Sequence, residues 1–251
     1  MPKIHFLAPY PKFGRVGNRL PVVHQQRSPY YWWWAFLRRN EQYIKCCQQG
    51  GKGKLSSLYK DFGDVREDDF HAWWTKEQRG STLFGERALD LKFAELTSPD
   101  QWLPSWTGEQ VMIVAVPLRE SNRSLKGRFS KLLDARLQRT RGRPAMASVT
   151  STAKYPLARN YDTRHLEFAL MAYGLWTIEQ IKPSVERKTL WEIGVEMKFN
   201  REKCSEAVSK NKGERLLARN YLGAVVKRYV TQAQQIIKNT ELGKFPLTTK
   251  N

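Results

Sequence analysis

Apolar and aromatic residues are distributed unevenly along the chain, and the densest aromatic run lies near its start. Residues 1–28 contain five basic and no acidic residues, and their four prolines exclude long helices. Ser28 and Pro29 then supply a helix cap and a first-turn proline for a run of aromatic residues that ends before Gly50. The pattern predicts an extended segment over 1–28 and one helix over 29–49.

Shorter apolar runs follow this aromatic run. Acidic residues at the start of a helix complement its dipole, so Asp68 or Asp69 is expected to open a short helix. Gly80 and Gly85 bracket a predicted turn. The spacing of leucines and phenylalanine after it predicts another helix over 86–96.

The pattern changes near residue 100. Residues 111–116 (VMIVAV) form a continuous apolar run that predicts a buried strand. A helical repeat of apolar positions follows over 122–137, and from Asp162 onward the pattern is helical, with a first break near Pro183. The predicted fold class is therefore mainly α with a small β-sheet (α+β).

The charge of the chain narrows the class of partner. The 251 residues include 43 Lys and Arg against 24 Asp and Glu, which gives a net charge of +19. Apolar residues make up 41% and aromatic residues 12%, too many for a disordered polycation. A folded protein with this charge is expected to bind something anionic, and nucleic acid is the leading candidate.

The cysteine count and the length of the apolar runs indicate the cellular compartment. Three cysteines (Cys46, Cys47 and Cys204) cannot pair fully, which favours a reducing compartment and a cytoplasmic, nucleoid-associated protein. No apolar run has the length of a signal peptide or a membrane span, so neither secretion nor a membrane partner is expected. The histidines and cysteines lack the spacing of a zinc site, and no cofactor is predicted.

Most of the excess charge lies in the second part of the sequence. Residues 1–100 hold 16 basic and 11 acidic side chains, whereas residues 101–251 hold 27 and 13. Composition and breaks divide the chain into four predicted segments. These are an extended basic arm (1–28), an aromatic helical module (29–100), a small α/β segment with a basic loop (101–160) and a helical nucleic-acid-binding region (161–251).

Residues 189–208 carry the sharpest local pattern. Leu190, Ile193 and Met197 are spaced for one face of a short helix, and Asn200 is suited to cap a second helix. The segment resembles the helix-turn-helix of many bacterial and phage DNA-binding proteins, which implies that the second helix enters the major groove. The candidate base-contacting residues are Asn200, Arg201, Lys203 and Ser205.

Three residues depart from that pattern or refine it. Gly194 is expected where the second helix packs closely against the first. Trp191 and Phe199 are bulkier than usual for the motif. An ordinary helical hairpin in a protein core is the alternative interpretation.

Other cations are suited to contact phosphates, which position a protein on DNA without specifying sequence. Those on the predicted helices are Arg123, Lys126, Lys210, Lys212, Arg215, Arg219, Lys227 and Arg228. A further group, Arg139, Arg141 and Arg143, belongs to a segment whose Arg-Gly-Arg-Pro core resembles an AT-hook, which implies minor-groove binding. A solvated loop is the alternative.

The aromatic run leaves its own alternatives open. Its rings can stack on unpaired bases, or they can be packed in a core or a protein interface. If the protein reads a palindrome it should dimerise, and residues 29–74 are the expected place for a second copy or another protein partner. Through Tyr30–Trp34, Asp61–Asp64 and Trp73-Trp74 the chain resembles uncharacterised proteins of bacteria, phages and mobile elements, a resemblance that implies no activity.

Catalytic patterns are sparse. Asp90-Leu91-Lys92 with Asp61 or Asp64 imitates the carboxylate set of a magnesium-dependent nuclease. We therefore expect a non-enzymatic protein of a phage or mobile element, a regulator or a nucleoprotein component, that grips double-stranded DNA through its C-terminal region. The alternatives are an assembly protein of a virus-like particle and a metal-dependent nuclease.

Overall fold

Helices account for most of the described chain. The computed structural model describes residues 4–87, 95–101, 112–136, 151–158 and 161–249. Its α-helices are α1 (Val22–Gln25), α2 (Pro29–Leu37), α3 (Glu41–Gln48), α4 (Ser56–Phe62), α5 (Phe70–Thr75), α6 (Arg79–Phe84), α7 (Asn122–Arg136), α8 (Thr163–Ile181), α9 (Leu190–Glu196), α10 (Arg201–Glu206) and α11 (Lys212–Thr240). Short 3₁₀ turns occur at Lys76–Gln78, Pro99–Gln101 and Ser184–Glu186. The expectation of a mainly α protein with a small sheet is confirmed.

The strands lie in the first part of the chain and are short. Strands β1 (Ile4–His5) and β4 (Glu86–Arg87) pair antiparallel, with Ile4 opposite Arg87. Strands β2 (Gly14–Arg15) and β3 (Asn18–Arg19) form a separate antiparallel hairpin.

The strand predicted from the apolar run is wrong for its described part. Residues 112–116 have no regular secondary structure, and Ile113 is 70% exposed. A strand needs a neighbour for its backbone hydrogen bonds, and none of the described strands lies beside this run. Apolar content alone therefore did not make a buried strand here.

The aromatic run fills the core of the protein. Trp32, Trp33, Trp34 and Phe36 are each at most 4% exposed. The Trp33 ring stacks on Phe245 with 5.3 Å between centroids, although the two residues lie at opposite ends of the chain. Because these rings are packed inside the protein, they offer no free surface to unpaired bases, and the core alternative holds for them. A partner site elsewhere in residues 29–74 stays a prediction.

Aromatic residues also attach the N-terminal segment to this core. Phe6 and Tyr10 lie against the Trp74 ring at 5.9 and 5.6 Å, and Phe13 lies 5.8 Å from Phe70. The described part of the basic arm, residues 4–28, is thus packed on α5 and includes the β2–β3 hairpin.

The single helix predicted over 29–49 is two helices, and Asn40 explains the break. Its side-chain oxygen accepts a hydrogen bond from the Tyr43 N–H (2.9 Å) and so caps α3. Its amide nitrogen donates to the Ile237 carbonyl (2.9 Å) and to the Glu241 carboxylate (3.0 Å). Asn40 therefore ties the start of α3 to the end of α11, and this tertiary role is what interrupts the helix.

Among the other predictions for residues 68–96, one is confirmed and others are wrong. Asp69 caps α5 as expected, since its carboxylate accepts from the Ala72 N–H at 3.0 Å. The turn predicted between Gly80 and Gly85 is instead the helix α6. The helix predicted over 86–96 begins as strand β4, and its residues 88–94 lie outside the described chain.

The C-terminal helices assemble around α11. Helix α8 begins at Asp162, whose carboxylate accepts from the Arg164 N–H at 3.0 Å, and it ends before Pro183 as predicted. Helix α11 contacts α8, α9, α10 and α2, and its buried face runs from Ala218 to Ile237. One buried cluster contains residues from Ala8 to Phe245, so the predicted segments 29–100 and 161–251 share a core.

The aromatic core can be tested at Gly80. A Cβ atom at this position would lie 2.1 Å from the Trp74 indole, so Gly80→Ala is expected to lower the free energy of unfolding by about 2 kcal/mol or more through overpacking. Gly127→Ala on α7 is the matched control, because a Cβ atom there meets nothing within 4 Å and should stabilise the helix by about 0.5–1 kcal/mol. Urea unfolding monitored by circular dichroism measures both. Equal stability of the two variants would contradict this packing.

Candidate nucleic-acid interface

Two short helices occupy the segment predicted to hold a helix-turn-helix. The Thr189 N–H and hydroxyl donate to the Glu192 carboxylate at 2.6 and 2.7 Å, in a capping box that begins α9. The Asn200 side-chain oxygen accepts from the Lys203 N–H at 3.1 Å and begins α10. Four residues, 197–200, connect the helices, and Lys198 within them has a positive φ of 51°. The two helices and the Asn200 cap are confirmed, whereas their use as a DNA-binding motif stays a prediction.

The pair is held on α11. Gly194 lies so close to α11 that a Cβ atom would stand 3.1 Å from the Leu222 Cβ. Ala207, Ala218 and Leu222 form a small buried cluster between α10 and α11. The prediction that Gly194 accommodates α10 is therefore corrected, because the closest approach at this glycine is to α11.

The two bulky residues of the segment have clear structural roles. The Arg219 guanidinium lies 4.0 Å from the Trp191 ring centroid and donates to the Ala207 carbonyl at 3.0 Å. The Phe199 ring lies edge-on to Phe168 and Tyr229, at 5.2 and 5.4 Å. These contacts fix the connection 197–200 and the end of α10 to the neighbouring helices.

The predicted base-contacting residues are not equivalent. Arg201 and Ser205 are exposed, and Arg201 has no ion pair within the described chain. Lys203 is half-buried, and its Nζ donates to the Glu206 carboxylate at 2.7 Å. Asn200 is half-buried, with its side-chain oxygen used as the cap of α10. Arg201 and Ser205 are thus the two candidates whose side chains are available to a ligand.

Helix α10 itself carries no net charge. Arg201 and Lys203 are balanced by Glu202 and Glu206. The positive charge lies at its two ends, where Lys198, Lys210 and Lys212 are exposed. Lys198 was missed by sequence reasoning, although its position in a four-residue turn between two helices was a usable signal.

The phosphate-contact candidates on α11 and just before it divide into two groups. Lys210, Lys212, Lys227 and Arg228 are exposed. Arg215 donates to the Ser209 carbonyl at 3.1 Å, and Arg219 is engaged with Trp191 and Ala207 as described above. Arg215 and Arg219 therefore stabilise the junction between α10 and α11, and they also contribute positive charge.

The first turns of α11 extend beyond the core. Apolar spacing in the sequence predicts a helix from about Glu214 to Lys238 with Leu216 and Leu217 on its apolar side. In the structure these two leucines are 61% and 72% exposed. The buried face begins at Ala218 and follows residues 222, 225, 226 and 229. The prediction was wrong because the helix starts before it reaches α8, so its first leucines have no neighbour to bury them within the described chain.

Among the longer described helices, α7 has the highest density of basic residues, with five Lys and Arg in 15 residues against six in the 29 residues of α11. Residues 101–160 hold 11 basic and 3 acidic side chains, a larger excess than in residues 161–251 (16 and 10). Arg123 and Lys126 are exposed on α7, and none of residues 122–135 is buried. Arg139, Arg141 and Arg143, with the AT-hook-like segment, lie outside the described residues.

Glu86 on β4 holds residues 151–153 through hydrogen bonds. Its carboxylate, in a residue 5% exposed, accepts from the Ser151 hydroxyl at 2.5 Å and from the Thr152 and Ala153 N–H groups at 2.5 and 3.1 Å. A buried carboxylate that accepts several hydrogen bonds holds the donor groups firmly in place. Residues 151–153 are therefore held on β4.

The carboxylates considered for a nuclease are engaged elsewhere. Burial alone would raise the pKa of Asp61, but hydrogen bonds from Lys154 Nζ (2.5 Å) and Tyr155 Oη (2.6 Å) hold it below its usual value. Arg66 makes a bidentate contact with Asp64 and lowers the pKa of that carboxyl as well. Asp90 lies outside the described residues. Within the described chain, no three His, Cys, Asp or Glu side chains are grouped to hold a metal ion.

Comparison of the chain with known proteins found no related protein. No protein-family model matches the chain, and searches of curated proteins and of solved structures found no match. In the described ranges, none of the helices combines the length and apolar character required to cross a bilayer.

The capping box of α9 makes a prediction about pH. Hydrogen bonds from the Thr189 hydroxyl and N–H lower the pKa of Glu192. A carboxyl whose pKa is lower in the folded state stabilises the fold above its unfolded pKa, and this contribution is lost as the pH falls through the folded value. Thr189→Val should therefore raise the Glu192 pKa toward its usual value and lower stability at pH 7 by about 0.5–2 kcal/mol.

NMR titration of the Glu192 side chain and urea unfolding at pH 7 and pH 3 measure these effects. The difference in stability between wild type and T189V should be smaller at pH 3. An unchanged Glu192 pKa in T189V would contradict the capping box.

Proposed function

We propose that this protein binds double-stranded DNA without catalysing a reaction, and that α9 and α10 act as a helix-turn-helix with α10 in the major groove. The observation that carries the proposal is the exposed set formed by Lys198, Arg201, Lys210 and Lys212, which brackets α10 at both ends. Six residues of α-helix span about 9 Å, comparable with the major groove width of about 12 Å. Cations at the two ends of such a helix are suited to the phosphates on either side of the groove.

The neutral charge of α10 supports a division of roles. A helix that lies against base edges needs hydrogen-bonding groups more than net charge, and Arg201 and Ser205 supply exposed donors. The general attraction to DNA would come from the cations at its ends and from Arg123 and Lys126 on α7. We assign sequence preference to α10 and salt-dependent affinity to these surrounding cations.

The stacked and hydrogen-bonded residues behind α10 support the same proposal. Phe199 and Trp191 fix the helix pair on α8 and α11, and a site held on rigid elements positions its exposed groups more reproducibly than a loop does. A regulator or a nucleoprotein component of a phage or mobile element, acting on the nucleoid, would use such an element.

The test is a binding titration against duplex DNA over a salt series, with a preferred sequence first selected from a random duplex library. Arg201→Ala is expected to reduce preference for the selected sequence by about 1–3 kcal/mol and to leave the affinity for random duplex nearly unchanged. The double variant K210A/K212A should weaken binding to all duplexes and lower the slope of log K against log salt by about 2.

The matched control for the double variant is K60A/K76A, which removes the same charge from exposed lysines of the aromatic half of the chain. It should retain the wild-type slope. If the two double variants reduce the slope equally, binding follows total charge and the assignment to α10 and its flanks fails. Tighter binding to single strands or RNA than to any selected duplex would contradict the choice of duplex DNA.

A further inference from the structure

The solvent-facing side of α8 carries an apolar stripe that no described element covers. Met171 and Ile178 are 41% and 57% exposed, and Ile181 at the end of the helix is 82% exposed. Together with Gly174 they occupy positions 171, 174, 178 and 181, the alternating spacing of three and four residues that forms the seam between two helices. The opposite side of α8, with Leu166, Ala169 and Leu170, is buried against the rest of the protein.

Gly174 has an unusual place in this stripe. A Cβ atom built on it meets nothing within 4 Å, so no described part of the chain requires a glycine there. A glycine inside a helix lowers its stability by about 1 kcal/mol relative to alanine. A small residue in the middle of an exposed apolar stripe allows a second helix to approach closely.

Charged residues stand only at the two ends of the stripe. Arg164 and Glu167 are exposed at the N-terminal end, and Lys182 lies at the C-terminal end, with part of its side chain exposed beside Glu179. We propose that two copies of this chain pair antiparallel through α8, about a two-fold axis between Gly174 and Leu175. This inference does not depend on DNA binding.

The charges favour this orientation and this partner. Antiparallel pairing about that axis places Glu167 of one copy opposite Lys182 of the other, and Met171 opposite Ile178. Parallel pairing in register would instead place Glu167 opposite its own equivalent, which is repulsive. In this orientation the charged ends of the two stripes attract each other and Met171 meets Ile178, so the same residues serve both copies, as a two-fold interface requires.

The stripe is also the part of a strongly basic molecule where a second copy meets little repulsion. With a net charge of +19, most of the surface opposes self-association, but positions 168–181 of α8 contain a single charged residue, Glu179, which is buried and paired with Lys182. Because a few apolar side chains cover less than the roughly 800 Å² per partner of a standard interface, we expect a dissociation constant in the micromolar range.

The first experiment is sedimentation equilibrium of the full chain at several protein concentrations. The wild type is expected to reach twice the chain mass, and Ile178→Arg should raise the dissociation constant at least about tenfold because it places a charge in the seam. Leu217→Arg on α11 is the matched control, since Leu217 is an exposed apolar residue outside the stripe (72% exposed, against 57% for Ile178) and its replacement should leave the dimer intact. Circular dichroism verifies that both variants are folded.

The second experiment fixes the orientation by disulfide crosslinking in a C204S background. Chains carrying M171C, mixed with chains carrying I178C, should form a crosslinked dimer on mild oxidation, whereas either variant alone should crosslink at least about tenfold less. Opposing positions in closely packed helices lie within the range of Cα separations that a disulfide spans, about 4.4–6.8 Å.

Three outcomes would overturn the proposal. These are a wild-type chain that stays monomeric at all concentrations, a dimer that I178R leaves intact or L217R also dissociates, and M171C crosslinking more efficiently with itself than with I178C.

Discussion

The burial of one face of α11 is the constraint on which the rest of the structure depends. This 29-residue helix contacts α8, α9 and α10 along its length, and near its end it meets α2. Beyond α11, Phe245 returns to stack on Trp33, and Asn40 from the first part of the chain donates to the Ile237 carbonyl. Without α11 the aromatic core would lose one wall and the α9–α10 pair would lose its support.

Sequence patterns predicted the elements whose causes are local. Asp69, Asp162 and Asn200 were all expected at helix starts, and all three accept hydrogen bonds from the first-turn N–H groups. The long C-terminal helix and the helix before Pro183 followed from apolar spacing alone. Local chemistry was sufficient in each case because the competing structures, a turn or a strand, had no comparable signal.

The errors share a different cause, which is contact between residues far apart in the sequence. From the sequence alone, Asn40 is an ordinary polar residue inside a predicted helix. Its role at the helix break follows from its hydrogen bonds to Ile237 and Glu241. The aromatic run could be interpreted as a contact surface because nothing in its own sequence shows that Phe245 and Tyr155 lie against Trp33. The contact of Arg219 with Trp191 likewise distinguished Arg219 from candidate cations that the sequence had treated as equivalent.

We propose that the surface around α10 contacts DNA, whereas the aromatic residues of α2 and α5 form the core. Hydrogen–deuterium exchange of the full chain, with and without duplex DNA, tests that assignment most directly. Protection on DNA binding is predicted in residues 197–212 and in α7, with no change in α2 or α5. Protection confined to residues 29–84, with none around α10, would contradict it.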